Sequence, residues 1–158
     1  MMPSRAVLRG IVLAGALVLA PTLPPLAAAE ERVMYIAAIE PKGGVAVDKE
    51  RFPPGELPKG GGYVKKAPDA TGRWEVSVYQ FSPATVVVRQ GDRVTLEIVG
   101  INGALHTVHV DKYHPDHVPV KRGQITRIQF TADTAGLFKI HCIEHQPSME
   151  GLLVVLPR

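Results

Sequence analysis

From Arg73 to Leu156 the chain is a succession of short β-type runs, each closed by Gly, Pro or Asp, and this repetition constrains the fold more than any other feature. Trp74, Val76, Val78 and Gln80 alternate with Glu75, Ser77, Tyr79 and Phe81, the period of a strand with two different faces. Thr85 to Arg89 is β-branched, and Gly91-Asp92 makes a tight turn into Val94 to Val99. Thr107 to Asp111, Gln124 to Thr131, Gly136 to Cys142 and Gly151 to Leu156 continue the series. Residues 32–39, RVMYIAAI, read as a first strand, although so short an apolar run also suits a helix. Many short strands joined by such turns predict an all-β domain, a β-sandwich or Greek-key barrel.

The segment 40–72 differs. Gly43-Gly44, Pro53-Pro54-Gly55 and Gly60-Gly61-Gly62 interrupt a polar stretch with little periodicity. It reads as a long Gly/Pro-rich loop or insertion near the N-terminus, with room for a short strand around Gly44 to Val47. A connection of that length is functional or partly mobile.

The first residues belong to no packed domain. Arg5 and Arg9 precede an apolar run from Ile11 to Leu19, and Leu26-Ala27-Ala28-Ala29 puts small residues where a signal peptidase requires them. The expectation is a signal peptide over 1–29, cleaved before Glu30, and a single domain over 30–158 in the periplasm. Hydrophobicity resumes after Pro21, as an uncleaved membrane anchor would require, but Pro24-Pro25 and the alanine-rich exit favour removal. Taking Arg5 and Arg9 from the 18 basic side chains leaves 16 against 15 acidic ones. That near-neutral balance, without a basic stripe interleaved with aromatics, gives no basis for nucleic-acid binding.

A single cysteine excludes an intramolecular disulfide, and a lone thiol outside the cytosol is a liability unless buried or metal-bound. All six histidines fall between positions 106 and 145, Cys142 lies among them, and Met149 is the one methionine after Met34. Cys142, His145 and Met149 share a loop between two strands, which lets them surround one ion. His106, just before the next-nearest β run, can supply a fourth ligand. Alternation selects it over His109: if His106 points inward with Val108 and Val110, then Thr107, His109 and Asp111 point outward. A thiolate, two imidazoles and a weak thioether describe a mononuclear copper electron-transfer site. The competing readings are an inert buried cysteine, a turn histidine and a core-filling methionine. Asn102 is a candidate for tying the histidine loop to the cysteine loop. His109, Asp111 and His141 share the outward face and form a candidate weak second metal site. His114 and His117 read as exposed loop residues, and Glu144 and Glu150 as neighbours able to tune the potential or partner docking.

Phe81-Ser-Pro83, Val88-Arg-Gln-Gly-Asp92-Arg-Val-Thr95, His106-Thr-Val108, Phe130-Thr-Ala-Asp-Thr-Ala-Gly136-Leu-Phe138, the Cys142, His145, Met149 spacing and Gly151-Leu-Leu-Val-Val-Leu-Pro157 together resemble the cupredoxin family over residues 81–157. The resemblance implies a cupredoxin-like sandwich and a type 1 (blue) copper held by His106, Cys142, His145 and Met149. It also implies electron exchange with a redox protein such as a cytochrome or a terminal oxidoreductase. Phe130 to Gly136 and His106 to Val110 resemble the copper domain of cytochrome oxidase subunit II. The residue four after Cys142 is Gln146, however, so the second bridging cysteine of that branch is missing. Phe138 to Cys142 and Val154 to Arg158 resemble copper nitrite reductase, but the residue five after His106 is Asp111 where that branch has a histidine. The expectation is a non-catalytic electron shuttle. The alternative is a periplasmic copper-binding protein for storage, delivery or sensing.

Overall fold

The computed structural model describes residues 28–158, so the expected signal segment lies almost entirely outside the described residues. In chain order the strands are β1 (Glu31–Ile39), β2 (Lys42–Ala46), β3 (Tyr63–Lys66), β4 (Arg73–Val78), β5 (Gln80–Ser82) and β6 (Thr85–Arg89). They are followed by β7 (Arg93–Gly100), β8 (Leu105–Val110), β9 (His114–Lys121), β10 (Ile125–Thr131), β11 (Gly136–Cys142) and β12 (Glu150–Leu156). One sheet has the order β10-β7-β1-β5 and a second the order β6-β12-β11-β8-β9.

Alternation in the sequence becomes the division between core and surface. In β7, Val94, Leu96 and Ile98 are buried, and the residues between them are less so. Ile36 and Ala38 of β1 and Ile128 of β10 join them from the first sheet. Val86, Val88, Val108, Val110, Ile140, Leu153 and Val155 supply the facing layer from the second. The result is the interleaved apolar core of a sandwich, consistent with a cupredoxin-like architecture. β1 runs parallel to β7, and β6 parallel to β12.

Two expectations are corrected. The segment 40–72 is a loop interrupted by two strands rather than one continuous loop: β2 falls where a short strand around Gly44 to Val47 had room, β3 was not foreseen, and both flank β4 in a third sheet of order β2-β4-β3. The low periodicity concealed it: each strand is short, and Trp74 is the only buried large side chain of that sheet, its indole N–H donating to Glu50 O at 2.9 Å. His114 and His117 lie on β9 rather than in a loop. Pro115 and Pro119 disguise that strand, but β9 is the edge of its sheet, where a missing N–H can face solvent.

Candidate metal centre

The site grows out of one strand pair. β8 and β11 are antiparallel, with Cys142 opposite Val108 and His141 opposite His109. Burial in β8 follows the expected period: His106, Val108 and Val110 are buried, whereas Thr107 and His109 are less so. His106 and Cys142 therefore both face the core, and each is fully buried. The loop after Cys142 folds back on itself through two backbone bonds: Met149 N–H donates to His145 O and Cys142 N–H to Met149 O, both at 3.0 Å. Gln146 Nε2 donates to Cys142 O at 2.6 Å, and Ile143 N–H donates to Thr107 O at 3.0 Å.

This folding brings three donor atoms together. His145 Nδ1 lies 3.3 Å from Cys142 Sγ and 3.3 Å from His106 Nδ1. Among the described residues, His106, Cys142 and His145 are the one group of three such side chains whose donor atoms all lie within 4.8 Å of one another. His106 Nε2 contacts Asn102 O at 2.9 Å, so its proton sits there and Nδ1 presents a lone pair to the other two groups. His145 is held by stacking, its ring 3.6 Å from that of Tyr79 and 15° from parallel. Burial, and then the neighbouring His106, lower its pKa and favour the neutral imidazole that a metal needs. Met149 is fully buried at the end of the same loop.

Glu144 adds a charge at the rim. Its carboxylate accepts from Thr107 N–H at 2.8 Å and from the Thr107 hydroxyl, and lies 3.2 Å from Cys142 Sγ. Burial opposes ionisation of that carboxyl, but the bonds from Thr107 and Cys142 win and hold it down at about 2. Burial, and then the contact with Glu144, push the Cys142 thiol up to about 11. Without a cation the thiol therefore keeps its proton at neutral pH, and a soft cation is the natural replacement for that proton.

Sequence reasoning missed two supports of the site. Tyr79, read only as one face of an alternating strand, is the platform under His145. Gly60-Gly61-Gly62, read as loop punctuation, packs directly behind the metal-site loop: Gly62 N–H donates to Gln146 O at 2.9 Å, and Ser148 Oγ lies 2.7 Å from Gly62 O. A side chain at Gly61 would sit 2.6 Å from Glu144 O, and one at Gly62 would meet Ser148 Oγ and, at 2.5 Å, His145 O. Three glycines together were the available signal, since close backbone approach is one of the few reasons to exclude every Cβ from a run.

Two other expectations change. Asn102 does not tie the histidine loop to the cysteine loop. Its side-chain amide pairs with the Glu40 backbone, Oδ1 accepting at 2.6 Å and Nδ2 donating at 2.8 Å, and so fixes the histidine loop to the end of β1. The outward residues do meet, with His109 and His141 stacked at 4.7 Å, Asp111 Oδ1 3.2 Å from His109 Nε2 and 4.0 Å from His141 Nδ1. No His-Asp-His metal site is evident there. The Asp111 carboxylate sits beside the stacked rings, and their donor atoms do not close around a point as the inner triad does.

Comparison with known proteins agrees with this fold. The family model of the cupredoxin-like domain matches residues 62–155. The chain belongs to the cupredoxin-like family. A search of the curated proteins returns no significant match. Among solved structures, a copper nitrite reductase from Nitrosomonas europaea aligns with a TM-score of 0.52 at 18% identity, over 81% of this chain and 42% of that one. A blue copper oxidase from Nitrosomonas europaea gives 0.52 at 17% identity over 81% and 39%. The multicopper oxidase mgLAC gives 0.51 at 19% identity over 82% and 40%. This cupredoxin-like chain spans about two fifths of the length of each, and at these identities the likeness shows the fold.

Proposed function

We propose that this chain is an exported mononuclear copper protein, resident in the periplasm, that shuttles single electrons between redox partners, with His106, Cys142, His145 and Met149 as the ligands. The observation that carries this reading is the convergence of two imidazole Nδ1 atoms and one thiol sulfur within 4.8 Å at a buried position. Sulfur and nitrogen donors in that ratio, with a thioether available, suit copper in both oxidation states. A bound copper ion supplies a one-electron couple.

The chain supplies rigidity. His106 and Cys142 stand on hydrogen-bonded strands, His145 is clamped by Tyr79, and the loop between Cys142 and Met149 is closed by its own backbone bonds. Ligands held this way change position little between oxidation states. Electrons have a natural exit at His145, which is only half-buried where His106 is fully buried. A cytochrome or terminal oxidoreductase docking over that edge would complete the path. One three-residue cluster among the described residues fits a non-catalytic carrier better than a complete oxidase. No helix among those residues is long and apolar enough to cross a membrane.

The test is the visible absorption and EPR spectrum of the protein loaded with one Cu(II), beside Cys142→Ser. An intense thiolate-to-copper band that the substitution abolishes is the expected result. A weak spectrum unchanged by the substitution removes Cys142 from the site, and binding of Cu(I) alone with rapid exchange points instead to copper storage or delivery.

A further inference from the structure

Asp92 is a fully buried carboxylate in the turn that feeds β7, at the other end of that strand from the histidine loop. Its Oδ2 accepts from Arg89 N–H at 3.0 Å and from Arg32 Nε at 3.4 Å, and its Oδ1 accepts from Arg158 Nη2 at 2.8 Å. The remaining donor is the backbone nitrogen of Glu30, 3.2 Å from Oδ1. Glu30 is also held on its other side, its carbonyl accepting from Arg93 N–H at 2.9 Å. Ala28 and Ala29, immediately before it, are exposed. The peptide bond that the alanine-rich exit marks for a signal peptidase thus ends on the very nitrogen that the structure seats against a buried carboxylate.

We propose that Ala29–Glu30 is the processing site and that Asp92 is the receptor for the new N-terminus. The peptidase hydrolyses the C–N bond with water: the Ala29 carbonyl carbon takes the hydroxyl, and the Glu30 nitrogen takes a proton and gains another from solvent. A neutral amide donor thereby becomes an α-ammonium at the same place, and its hydrogen bond to Asp92 becomes a charge-assisted one. Arg32 and Arg158 face the same carboxylate, while the Glu30 side chain engages Arg32 at 2.8 Å and Arg93 engages Glu31, so three guanidinium groups match three carboxylates and the ammonium adds one positive charge to them. Processing then tightens the end of the sandwich that joins the first residue, the β7 turn and the C-terminus. This inference is independent of the copper assignment.

Two measurements decide it. The full chain is expressed with its leader and the exported protein is weighed; a mass beginning at Glu30 is expected, and any other mature N-terminus overturns the proposal. Chains beginning at Glu30 and at Ala29 are then unfolded thermally, each with Asp92 and with Asp92→Asn. The Glu30 form is expected to have a folded-to-unfolded ratio about tenfold higher, about 1.4 kcal/mol, and a Tm about 3–5 °C higher, with the gap closing in Asp92→Asn. If Asp92→Asn does not fold, the Asp92 pair is compared at about pH 10.5. An ammonium paired with a carboxylate stabilises fully below its ordinary value near 8, and the effect is lost as pH rises through its elevated folded value. Equal stability of the two forms at neutral pH, or a gap that persists in Asp92→Asn or at high pH, overturns the docking.

Discussion

The two ends of β7 bury polar groups for opposite reasons. Before β7, the contacts of Asp92 are complementary: backbone N–H groups of Arg89 and Glu30 and the guanidiniums of Arg32 and Arg158 all donate to its carboxylate. Beyond it, past Asn102, donor atoms that could each bind a metal converge: one imidazole Nδ1 lies 3.3 Å from another, which in turn lies 3.3 Å from the thiol sulfur. A buried polar cluster that satisfies itself holds a fold together; one whose lone pairs converge is waiting for a cation. The two ends should therefore respond differently to the same experiments.

The largest difference is expected on loading with copper. Free copper at about a thousand times its dissociation constant adds about 4 kcal/mol to the stability of the protein. Cys142→Ala should abolish that gain while shifting the stability of the metal-free protein by only about 1 kcal/mol, because a small buried thiol gives way to a methyl. Because the metal-free thiol titrates at about 11, binding at neutral pH releases its proton, and affinity should fall about tenfold for each unit of pH lowered. Calorimetric melts with and without copper, repeated across pH, measure both; equal melts in the variant and the parent would place the ion elsewhere.

The opposite end should respond in reverse. Asp92→Ala removes the carboxylate that the Arg89 and Glu30 N–H groups and the Arg32 and Arg158 guanidiniums share, and about 3 kcal/mol should be lost from the metal-free and copper-loaded protein alike. Burial by itself would raise the Asp92 carboxyl, but the N–H groups of Arg89 and Glu30 and the Arg32 guanidinium outweigh it and hold the carboxyl low. A depressed folded value means that this stability is fully present above the ordinary carboxylate range and is lost as pH falls through the folded value. Urea titrations between neutral and acid pH should show an acid loss in the parent that Asp92→Ala lacks. A copper spectrum altered by Asp92→Ala would show that the two ends are coupled.

Gly62→Ala probes the support behind the metal-site loop. The added methyl meets Ser148 Oγ and His145 O, and either the glycine strand or the loop must move. A cost of about 2 kcal/mol is typical of such overpacking. A displaced loop also shifts the copper absorption band, which separates loop movement from simple destabilisation; a lower Tm with an unchanged band means that the glycine side gave way instead.

The uneven legibility of the sequence follows the same division. Strands with alternating burial, such as β7 and β8, could be read because one period fixes both element and face, and that period also chose His106 over His109. The meeting of Cys142 and His145 with His106 could be read because cysteine and histidine are rare in this chain and were clustered. β9 and β3 could not, since prolines at an edge and glycines beneath a loop look the same in sequence as an unstructured connection. Tyr79 was hidden for a related reason: periodicity gives a face, but a stacking partner contributed by another loop leaves no local pattern. Asn102 was assigned to the wrong neighbour because its partner, Glu40, lies 62 positions away in sequence.

The smallest expected effect tests the boundary of the donor cluster. Glu144 lies against Cys142 Sγ and stays ionised far below neutral pH, so its charge faces the proposed ion in either oxidation state. A nearby negative charge favours Cu(II) over Cu(I). Glu144→Gln keeps the length of the side chain and an oxygen for the Thr107 N–H while removing the charge. At about 5 Å in mostly aqueous surroundings that charge is worth about 1 kcal/mol, which for a one-electron couple raises the reduction potential by about 40 mV. A redox titration followed at the copper band measures the shift, with the absorption maximum reporting whether the ligands have moved. A rise of that size at an unchanged maximum identifies Glu144 as an electrostatic neighbour of the ion. An unchanged potential means the carboxylate turns away when the metal enters, and its place beside the thiol then belongs to the metal-free protein alone.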